Sequence, residues 1–304
     1  MKKLIVGMMA AAFALGAFCE GEDPNPLIVS DNLFGSIKVD SKSEFTMVAV
    51  PFEGFASQFS GAAVPNSILA RDVIAVENLN APDTMHIFKP AEKDGDVDSY
   101  HNYVATWGTY RVGAAYWSYL TWGASVIFDD ENLEAEKTPN ADVRLVPVGS
   151  GVFIGRDAEN HPEEGFSIYA YGQIPQSFDL SEAITIKEGT KRVLSAPGEL
   201  AYKRVDLNSL DWGDTEFQEV TGRAIGERLI GLGGTSDSIT YFDTDSQKQW
   251  SFVRYGNKWV KRLGALGEQG YNTVSLVDDA IIPAGLSFWY ERNSSGDASL
   301  TWKK

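Results

Sequence analysis

The sequence predicts an all-β fold, and two observations lead to that prediction. Its 304 residues include 8 Trp, 12 Tyr and 16 Phe, and together with Val and Thr these residue types suit a pleated, half-buried strand. Short runs of such residues recur about every 8–12 residues, separated by breaks with Gly, Asn and Asp that favour turns. Many short strands with little helix are typical of an antiparallel sandwich or barrel.

Strands are predicted throughout the chain after residue 34. Two stretches favour short helices instead, Ser67–Leu79 and Phe217–Leu229, although Gly222 and Gly226 each weaken the second by about 1 kcal/mol. The predicted strands are Ser36–Val39, Phe45–Val50, Met85–Phe88, Tyr103–Trp107, Tyr110–Gly113, Ser125–Phe128, Arg144–Val148, Val152–Arg156, Phe166–Tyr171, Ala183–Lys187, Arg192–Ser195, Ile239–Phe242, Trp250–Tyr255, Lys258–Arg262, Thr273–Val277, Ser287–Arg292 and Ala298–Trp302.

Residues 1–19 have the pattern of a cleaved signal peptide. Lys2 and Lys3 form a positive start, and an uninterrupted apolar run follows from Leu4 to Phe18. That run is shorter than the roughly 20 residues of a membrane-spanning helix, and it has the length and flank of a secretory signal. We predict cleavage before Glu20, with residues 20–33 as a linker.

Two alternatives for this segment stay open. In a lipoprotein signal, Cys19 becomes the lipidated first residue, but Phe18 stands where such signals usually have a small residue. In the other alternative, the segment is an ordinary buried helix. Export would place the protein in the medium, at the cell surface or in the periplasm of a Gram-negative bacterium. We predict no transmembrane span in the mature chain.

Charge and cysteine content exclude several classes of protein. The net charge is −16, and loss of Lys2 and Lys3 with the signal makes the mature chain more acidic still. Such acidity disfavours phosphate-rich partners, so nucleic acid is not a predicted partner. The single cysteine excludes a disulfide framework and any Cys-rich zinc or iron–sulfur site, and the three histidines are far apart in the sequence.

A ten-residue block occurs twice. Residues 147–156 (PVGSGVFIGR) align without a gap to residues 283–292 (PAGLSFWYER). The Pro, Gly and Arg are identical, and three bulky apolar residues stand at the same positions in both. Pro belongs at the edge of a strand, Gly two residues later permits a tight turn, and the apolar triplet then forms a shielded strand.

Earlier landmarks recur in the same order, which predicts a duplication. We therefore predict two tandem, internally duplicated antiparallel β-sandwich or barrel-like domains, residues 34–176 and 177–304. The recurring pairs are MVAVP at 47–51 with VLSAP at 193–197, MHIFKP at 85–90 with ITYFDT at 239–244, and WGTY at 107–110 with YGNKW at 255–259.

The arginine that ends each block has two interpretations. Arg156 and Arg292 are either surface residues paired with a nearby carboxylate such as Asp157 or Glu291, or ligand contacts present in both halves. Because a duplicated structural role is commoner than two equal binding sites, the surface pair is the favoured interpretation.

The order of these blocks resembles that of secreted β-repeat proteins of the Verrucomicrobia type, whose function is unassigned and whose copies end in a PGxGFW block. Pro283, Gly285, Phe288 and Trp289 carry the resemblance best, and residues 147–153 carry it in the first half. The resemblance implies an exported, duplicated β domain. It implies no reaction.

Candidate metal ligands lie in an acidic loop. Asp94, Asp96 and Asp98 place three carboxylates at alternate positions, and Ca²⁺ prefers such oxygen ligands. The EF-hand pattern is incomplete, because its twelfth position is Ala105 instead of Glu. A solvated acidic turn is therefore favoured here, as it is at residues 206–214 and 243–245. Calcium stays the one metal considered, and no other cofactor is predicted.

The candidate ligand-binding residues are Tyr116, Trp117, Tyr119 and Trp122. They belong to a loop predicted over residues 112–124, which is aromatic and Gly-rich and has no clear counterpart in the second half. Function is grafted onto folds at such additions, and exposed aromatic faces here would stack on the apolar faces of sugar rings. The alternative is that these side chains fill a core.

We predict an exported, non-catalytic β protein with a structural or cell-surface interaction role, because the sequence has no recognisable catalytic constellation. Its predicted partner is a polysaccharide or another envelope protein. The first alternative is a carbohydrate-binding module that uses the aromatic residues of 112–124. The second is a secreted hydrolase with paired carboxylates, which needs a cleft lined by two acids with separated pKa values.

Overall fold

The computed structural model describes residues 34–41, 45–54, 65–76, 83–89, 99–112, 115–124, 145–156, 165–175 and 178–302. The fold of these residues is all-β, with several antiparallel sheets, as predicted. The described residues from Phe34 to Trp302 belong to one compact unit. Among the described residues, no helix is both long enough and apolar enough to cross a membrane.

The strands of the first half lie between residues 34 and 173. They are β1 (Phe34–Ser41), β2 (Phe45–Ala49), β3 (Ser67–Leu69), β4 (Ile74–Val76), β5 (Thr84–Lys89), β6 (Ser99–Val112), β7 (Ala115–Ala124), β8 (Leu145–Pro147), β9 (Gly151–Gly155) and β10 (Phe166–Gln173). A 3₁₀ turn spans Ala70–Asp72.

The strands of the second half lie between residues 184 and 300. They are β11 (Ile184–Ile186), β12 (Lys191–Ser195), β13 (Val205–Asp206), β14 (Thr221–Ile225), β15 (Arg228–Gly233), β16 (Ser238–Asp243), β17 (Lys248–Tyr255), β18 (Lys258–Lys261), β19 (Thr273–Ser275), β20 (Ile281–Ile282), β21 (Ser287–Glu291) and β22 (Ala298–Leu300). A 3₁₀ helix spans Gly198–Tyr202.

The two halves contain five-stranded sheets of corresponding strand order. The order is β2-β9-β5-β6-β7 in the first half and β12-β21-β16-β17-β18 in the second. Smaller ladders correspond in the same way: β1 pairs with β10 as β11 pairs with β22, and β3 pairs with β8 as β13 pairs with β20. The blocks aligned in the sequence therefore occupy equal places in the two sheets.

The register of the strands agrees with the alignment of the ten-residue blocks. Met47 on β2 lies opposite Phe153 on β9, and Val193 on β12 lies opposite Trp289 on β21. Reciprocal backbone hydrogen bonds join the halves, since Ala49 donates to Gly285 (2.9 Å) and Ser195 donates to Gly149 (2.7 Å).

The main hydrophobic core draws on both halves. Its buried members include Val48 and Ile168 from the first half and Phe288 and Leu300 from the second. A smaller cluster of Met47, Phe153 and Val193 lies where the five-stranded sheets meet. Because burial of apolar area is the dominant favourable term in folding, the halves stabilise each other.

Both predicted helices are wrong. Residues 67–76 form β3, the 3₁₀ turn and β4, with residues 77–79 outside the described part of the chain. The stretch predicted as Phe217–Leu229 turns at Gly226, whose φ is +58°, so that β14 and β15 form a hairpin. A residue with positive φ ends a helix, and Gly adopts it without strain. β15 also pairs with β19, and Leu229 is buried beneath this small sheet.

Candidate functional site

The prediction of a loop over residues 112–124 is wrong, because Val112 ends β6 and Ala115–Ala124 form β7, which pairs with β6 in a long hairpin. The pairing continues out to Val112 opposite Ala115. The sequence predicted two strands, 103–107 and 110–113, where the structure has the single strand β6. In the second half, the matching hairpin of β17 and β18 ends at Gly256 and Asn257, which have φ of +57° and +63°.

The first-half hairpin carries an extension of its own, residues 107–120. In the first half, Thr106 on β6 lies opposite Thr121 on β7. In the second half, Tyr255 on β17 lies opposite Lys258 on β18. The residue that corresponds to Tyr255 is therefore Thr106 and not Trp107. The alignment of residues 107–110 with 255–259 is therefore wrong by one position at its start. Tyr116, Trp117 and Tyr119 lie on the β7 part of the extension, where the backbone register sets Trp117 opposite Tyr110.

Trp122 is a core residue, which corrects its prediction as a ligand-binding side chain. It is 5% exposed and belongs to the main hydrophobic cluster. Trp122 also has a counterpart in the second half. On β7 it lies opposite Ala105 of β6, and in the equivalent place Trp259 on β18 lies opposite Arg254 of β17. The ligand-binding prediction stays open for Tyr116, Trp117 and Tyr119, whose side chains the structure does not describe.

In the second half, a buried ion pair joins the residue just before β16 to the residue just after β21. Arg292 Nη1 lies 2.7 Å from Asp237 Oδ2, and both side chains are completely buried. The Tyr290 hydroxyl donates to the same carboxylate oxygen. The backbone N–H groups of Asn293 and Ser294 donate to the other oxygen, at 2.9 and 2.7 Å. A buried charge is stable only when paired and hydrogen-bonded in this way.

The rest of the Arg292 guanidinium is also satisfied. Its Nε donates to the Gly296 carbonyl at 2.8 Å, and its Nη2 donates to the carbonyls of Glu216 (2.9 Å) and Ser295 (2.8 Å). The side chain therefore fixes the turn after β21 and the segment before β14.

The first half has a corresponding pair. Arg156 Nη2 lies 3.5 Å from Asp83 Oδ2, and the two side chains are 5% and 1% exposed. Asp83 precedes β5 as Asp237 precedes β16. The favoured interpretation of the repeated arginine as a surface residue is thus wrong. Extending the alignment of 85–90 with 239–244 by two residues towards the N-terminus would have revealed both aspartates.

Burial and hydrogen bonding at this ion pair shift the pKa values of Asp237 and of its neighbour Tyr290. Burial alone would raise the pKa of Asp237, but hydrogen bonds from Tyr290, Arg292 and the Ser294 N–H hold it below its ordinary value. Burial and the neighbouring carboxylate raise the pKa of Tyr290. Asp237 is therefore ionised and Tyr290 neutral at neutral pH, as a structural role requires.

A cleft of about 1020 Å³ is lined by the end of the first half (Ile174 and Pro175) and by second-half residues from Phe178 to Asp211, together with Thr301 and Trp302. This volume is at the upper end of the range for small-molecule sites, which is about 300–1,000 Å³. One part of the lining is apolar, and it includes Ile174, Phe178, Leu180, Leu200 and Trp302. The charged side chains are Asp179, Glu199, Lys203 and Asp211. Sequence analysis committed to none of these residues as a site; it considered Asp211 only within the acidic turn at residues 206–214, where it favoured a solvated turn.

Comparison with protein-family models, with curated proteins and with solved structures gives no match. The resemblance to Verrucomicrobia-type repeat proteins therefore stays a prediction.

The predicted calcium ligands Asp94, Asp96 and Asp98 lie outside the described residues, so that prediction stays open. Within the described ranges, no group of three or more His, Cys, Asp or Glu side chains is placed to hold a metal ion. The other acidic turns use their carboxylates locally: Asp206 accepts from the Asn208 N–H at 3.0 Å, and Asp243 accepts from the Ser246 N–H at 2.9 Å.

Proposed function

We propose that the protein is an exported, non-catalytic β protein with a structural or cell-surface interaction role. Export rests on the Lys2–Lys3 start and the apolar run Leu4–Phe18. The mature chain would reside in the medium, at the cell surface or in the periplasm of a Gram-negative bacterium, with a lipid anchor at Cys19 as the alternative. Its partner would be a polysaccharide or another envelope protein.

The proposal includes an origin by duplication of one β unit. Three correspondences support it: the matching strand order, the two buried Asp–Arg pairs, and the reciprocal hydrogen bonds of Ala49 and Ser195. These shared features are structural, since they fix strand ends and join the halves. A specific function would then lie in parts that differ between the copies.

The extension of residues 107–120 carries the proposal. It adds two strand segments to a hairpin that the second half closes with Gly256 and Asn257 alone. A scaffold that folds with a two-residue turn does not need the extension for stability. We therefore infer that the extension serves contact with another molecule.

Replacement of residues 107–120 by Gly-Asn tests this role, because it restores the turn of the second half. The thermal midpoint should change little, while co-sedimentation of the labelled protein with isolated cell envelopes should be lost. Replacement of Gly256-Asn257 by Asn-Gly is the matched control and should preserve co-sedimentation. Unchanged co-sedimentation of the shortened variant would refute an interaction role for the extension.

The alternative function is a carbohydrate-binding module. Its support is the aromatic content of the same extension, in which Tyr110 pairs with Trp117 and Gly108 pairs with Tyr119 along the backbone. Affinity electrophoresis in gels that contain soluble polysaccharides tests it. Retardation of the full chain that is abolished by Trp117→Ala, but kept by Trp122→Phe, supports sugar binding by the extension. Equal migration in every gel excludes it.

A further inference from the structure

β7 is a long sheet edge without the usual protection against pairing. It is the last strand of its five-stranded sheet, and in the part of the chain that the structure describes it pairs only with β6. It spans the 10 residues Ala115–Ala124, of which none is charged and none is proline. Such an edge offers free backbone N–H and C=O groups to another strand.

Two edge strands of the second half carry the protection that β7 lacks. β18, which corresponds to the base of β7, spans 4 residues and begins and ends with Lys258 and Lys261. β14 spans 5 residues, has Arg223 at its centre, and has an irregular register beside it. Short length, charge and bulges all hinder pairing with a further strand. The contrast indicates that the β7 edge is kept available for pairing.

The geometry of the hairpin determines which backbone groups of β7 are free. Two residues connect Val112 to Ala115, which form the closing pair. In a two-residue hairpin the closing pair exchanges both of its backbone hydrogen bonds, and hydrogen-bonded pairs then alternate along the ladder. The odd-numbered residues of β7 therefore bond to β6. The N–H and C=O groups of Tyr116, Ser118 and Leu120 face away from β6, towards the open edge.

A second copy of the same strand fits this edge. Antiparallel pairing about a two-fold axis at Ser118 sets Tyr116 opposite Leu120, and Ser118 opposite its own copy. This register uses the free groups of all three residues in about six backbone hydrogen bonds, and the paired β7 strands contain no charged residue. Because the pairing is symmetric, it closes on itself and leaves no open β7 edge from which a fibre could grow.

The same register keeps the rest of the two acidic chains apart. β7 runs from the tip of the extension at Ala115 to its base near Trp122. The tip of one copy therefore lies beside the base of the other, and the remainder of each chain stands at an opposite end of a four-stranded ribbon. A net charge of −16 per chain opposes closer contact between the copies, so the extension of residues 107–120 makes such a dimer possible.

We propose that the protein is a homodimer joined by the β7 strands of two copies, paired antiparallel about Ser118. The proposal rests on the interaction role proposed above for residues 107–120, and it names a second copy of this chain as the partner.

Sedimentation velocity of the exported protein, from low to high micromolar concentration, tests the proposal. We expect a reversible dimer. Ser118→Pro removes an N–H that faces away from β6, so it costs the hairpin no hydrogen bond, and proline is tolerated at such edge positions. Because each Ser118 loses the hydrogen bond that it donates to its copy, the dissociation constant of the dimer should rise about tenfold or more. Ser118→Ala is the matched control; it keeps the backbone N–H and should leave the dissociation constant unchanged.

A cross-link tests the register. In a chain whose single cysteine is replaced by Cys19→Ala, Ser118→Cys should form a disulfide between the copies, because directly opposite residues have Cα atoms about 5.5 Å apart. Phe34→Cys is the control for random oxidation, because Phe34 is 63% exposed and lies outside the extension. It should stay largely unlinked, and equal linking of the two variants would contradict this register.

Several results would overturn the dimer. These are a monomer throughout the concentration range, an open series of larger species, a dimer that Ser118→Pro leaves unchanged, or one that Ser118→Ala weakens as strongly. Replacement of residues 107–120 by Gly-Asn should give a monomer, so the proposal is tested even if Ser118→Pro disturbs folding. A monomeric wild-type protein whose co-sedimentation with envelopes still depends on residues 107–120 would overturn the dimer and leave the interaction role intact.

Discussion

Phe153 and Trp289 occupy equal places in the two halves and stack on each other, with ring centroids 4.7 Å apart and ring planes inclined by 30°. Each is the central aromatic residue of its ten-residue block, on β9 and β21. The block therefore does more than form a strand, because it supplies a contact by which one half packs on the other. Phe45 extends the stack, at 5.5 Å from Phe153.

Truncation of this contact should destabilise the whole unit. We expect Phe153→Ala to lower the free energy of unfolding by about 3–5 kcal/mol, because a buried aromatic side chain leaves a cavity when removed. Phe34→Ala is the control; Phe34 is 63% exposed, and its loss should cost no more than about 0.5 kcal/mol. Denaturant unfolding measures both. Similar costs for the two variants would contradict packing across the halves.

Removal of the buried carboxylate should be equally severe. Asp237→Asn leaves the Arg292 charge buried without its partner, and such a change costs about 3–5 kcal/mol. Glu291→Gln is the matched control, because Glu291 pairs with Lys191 at 3.3 Å on the surface and such pairs contribute about 0–1 kcal/mol. The free energy of unfolding in urea distinguishes them. A mild effect of Asp237→Asn would show that Arg292 finds other compensation.

Stability should fall on acidification in a way that depends on Asp237. The pKa of Asp237 is lower in the folded protein than in the unfolded chain, where it is about 3.9. The carboxylate therefore stabilises the fold above the unfolded pKa, and this stabilisation is lost as the pH falls through the folded pKa. Thermal midpoints between neutral pH and pH about 2 measure the effect. Asp237→Asn should show a shallower decline, whereas an identical decline would assign the acid sensitivity to other carboxylates.

Gly285 should tolerate substitution less well than Gly149. Both have positive φ, +77° and +84°, which costs an L-residue about 1–2 kcal/mol. A Cβ at Gly285 would also lie 2.8 Å from Ile37 Cγ2, whereas the nearest atom at Gly149 would be 3.7 Å away. Gly285→Ala should therefore lower the thermal midpoint more than Gly149→Ala. The reverse order would mean that β1 moves aside.

Sequence reasoning predicted the strands well where the signal is local. Alternating apolar residues located β1, β5, β10 and β16, because the side-chain period of a strand does not depend on its neighbours. Several missed strands, among them β3, β4 and β13, span only 2 or 3 residues and are defined by their partners. Sequence analysis also missed the 10-residue strand β7, because it predicted a loop over residues 112–124. The false helix over 217–229 arose from apolar spacing, which the turn at Gly226 overrides.

The sequence by itself determined the fold class and the similar blocks of the two halves, because strand periodicity, Pro–Gly turns and repeated residues are local features of the sequence. Tertiary structure alone decided that Arg292 meets Asp237 in the interior, that Trp122 is core, and that Trp302 lines a cleft. Burial and partnership depend on strands distant in sequence, and in Arg292 and Asp237 they join residues 55 positions apart.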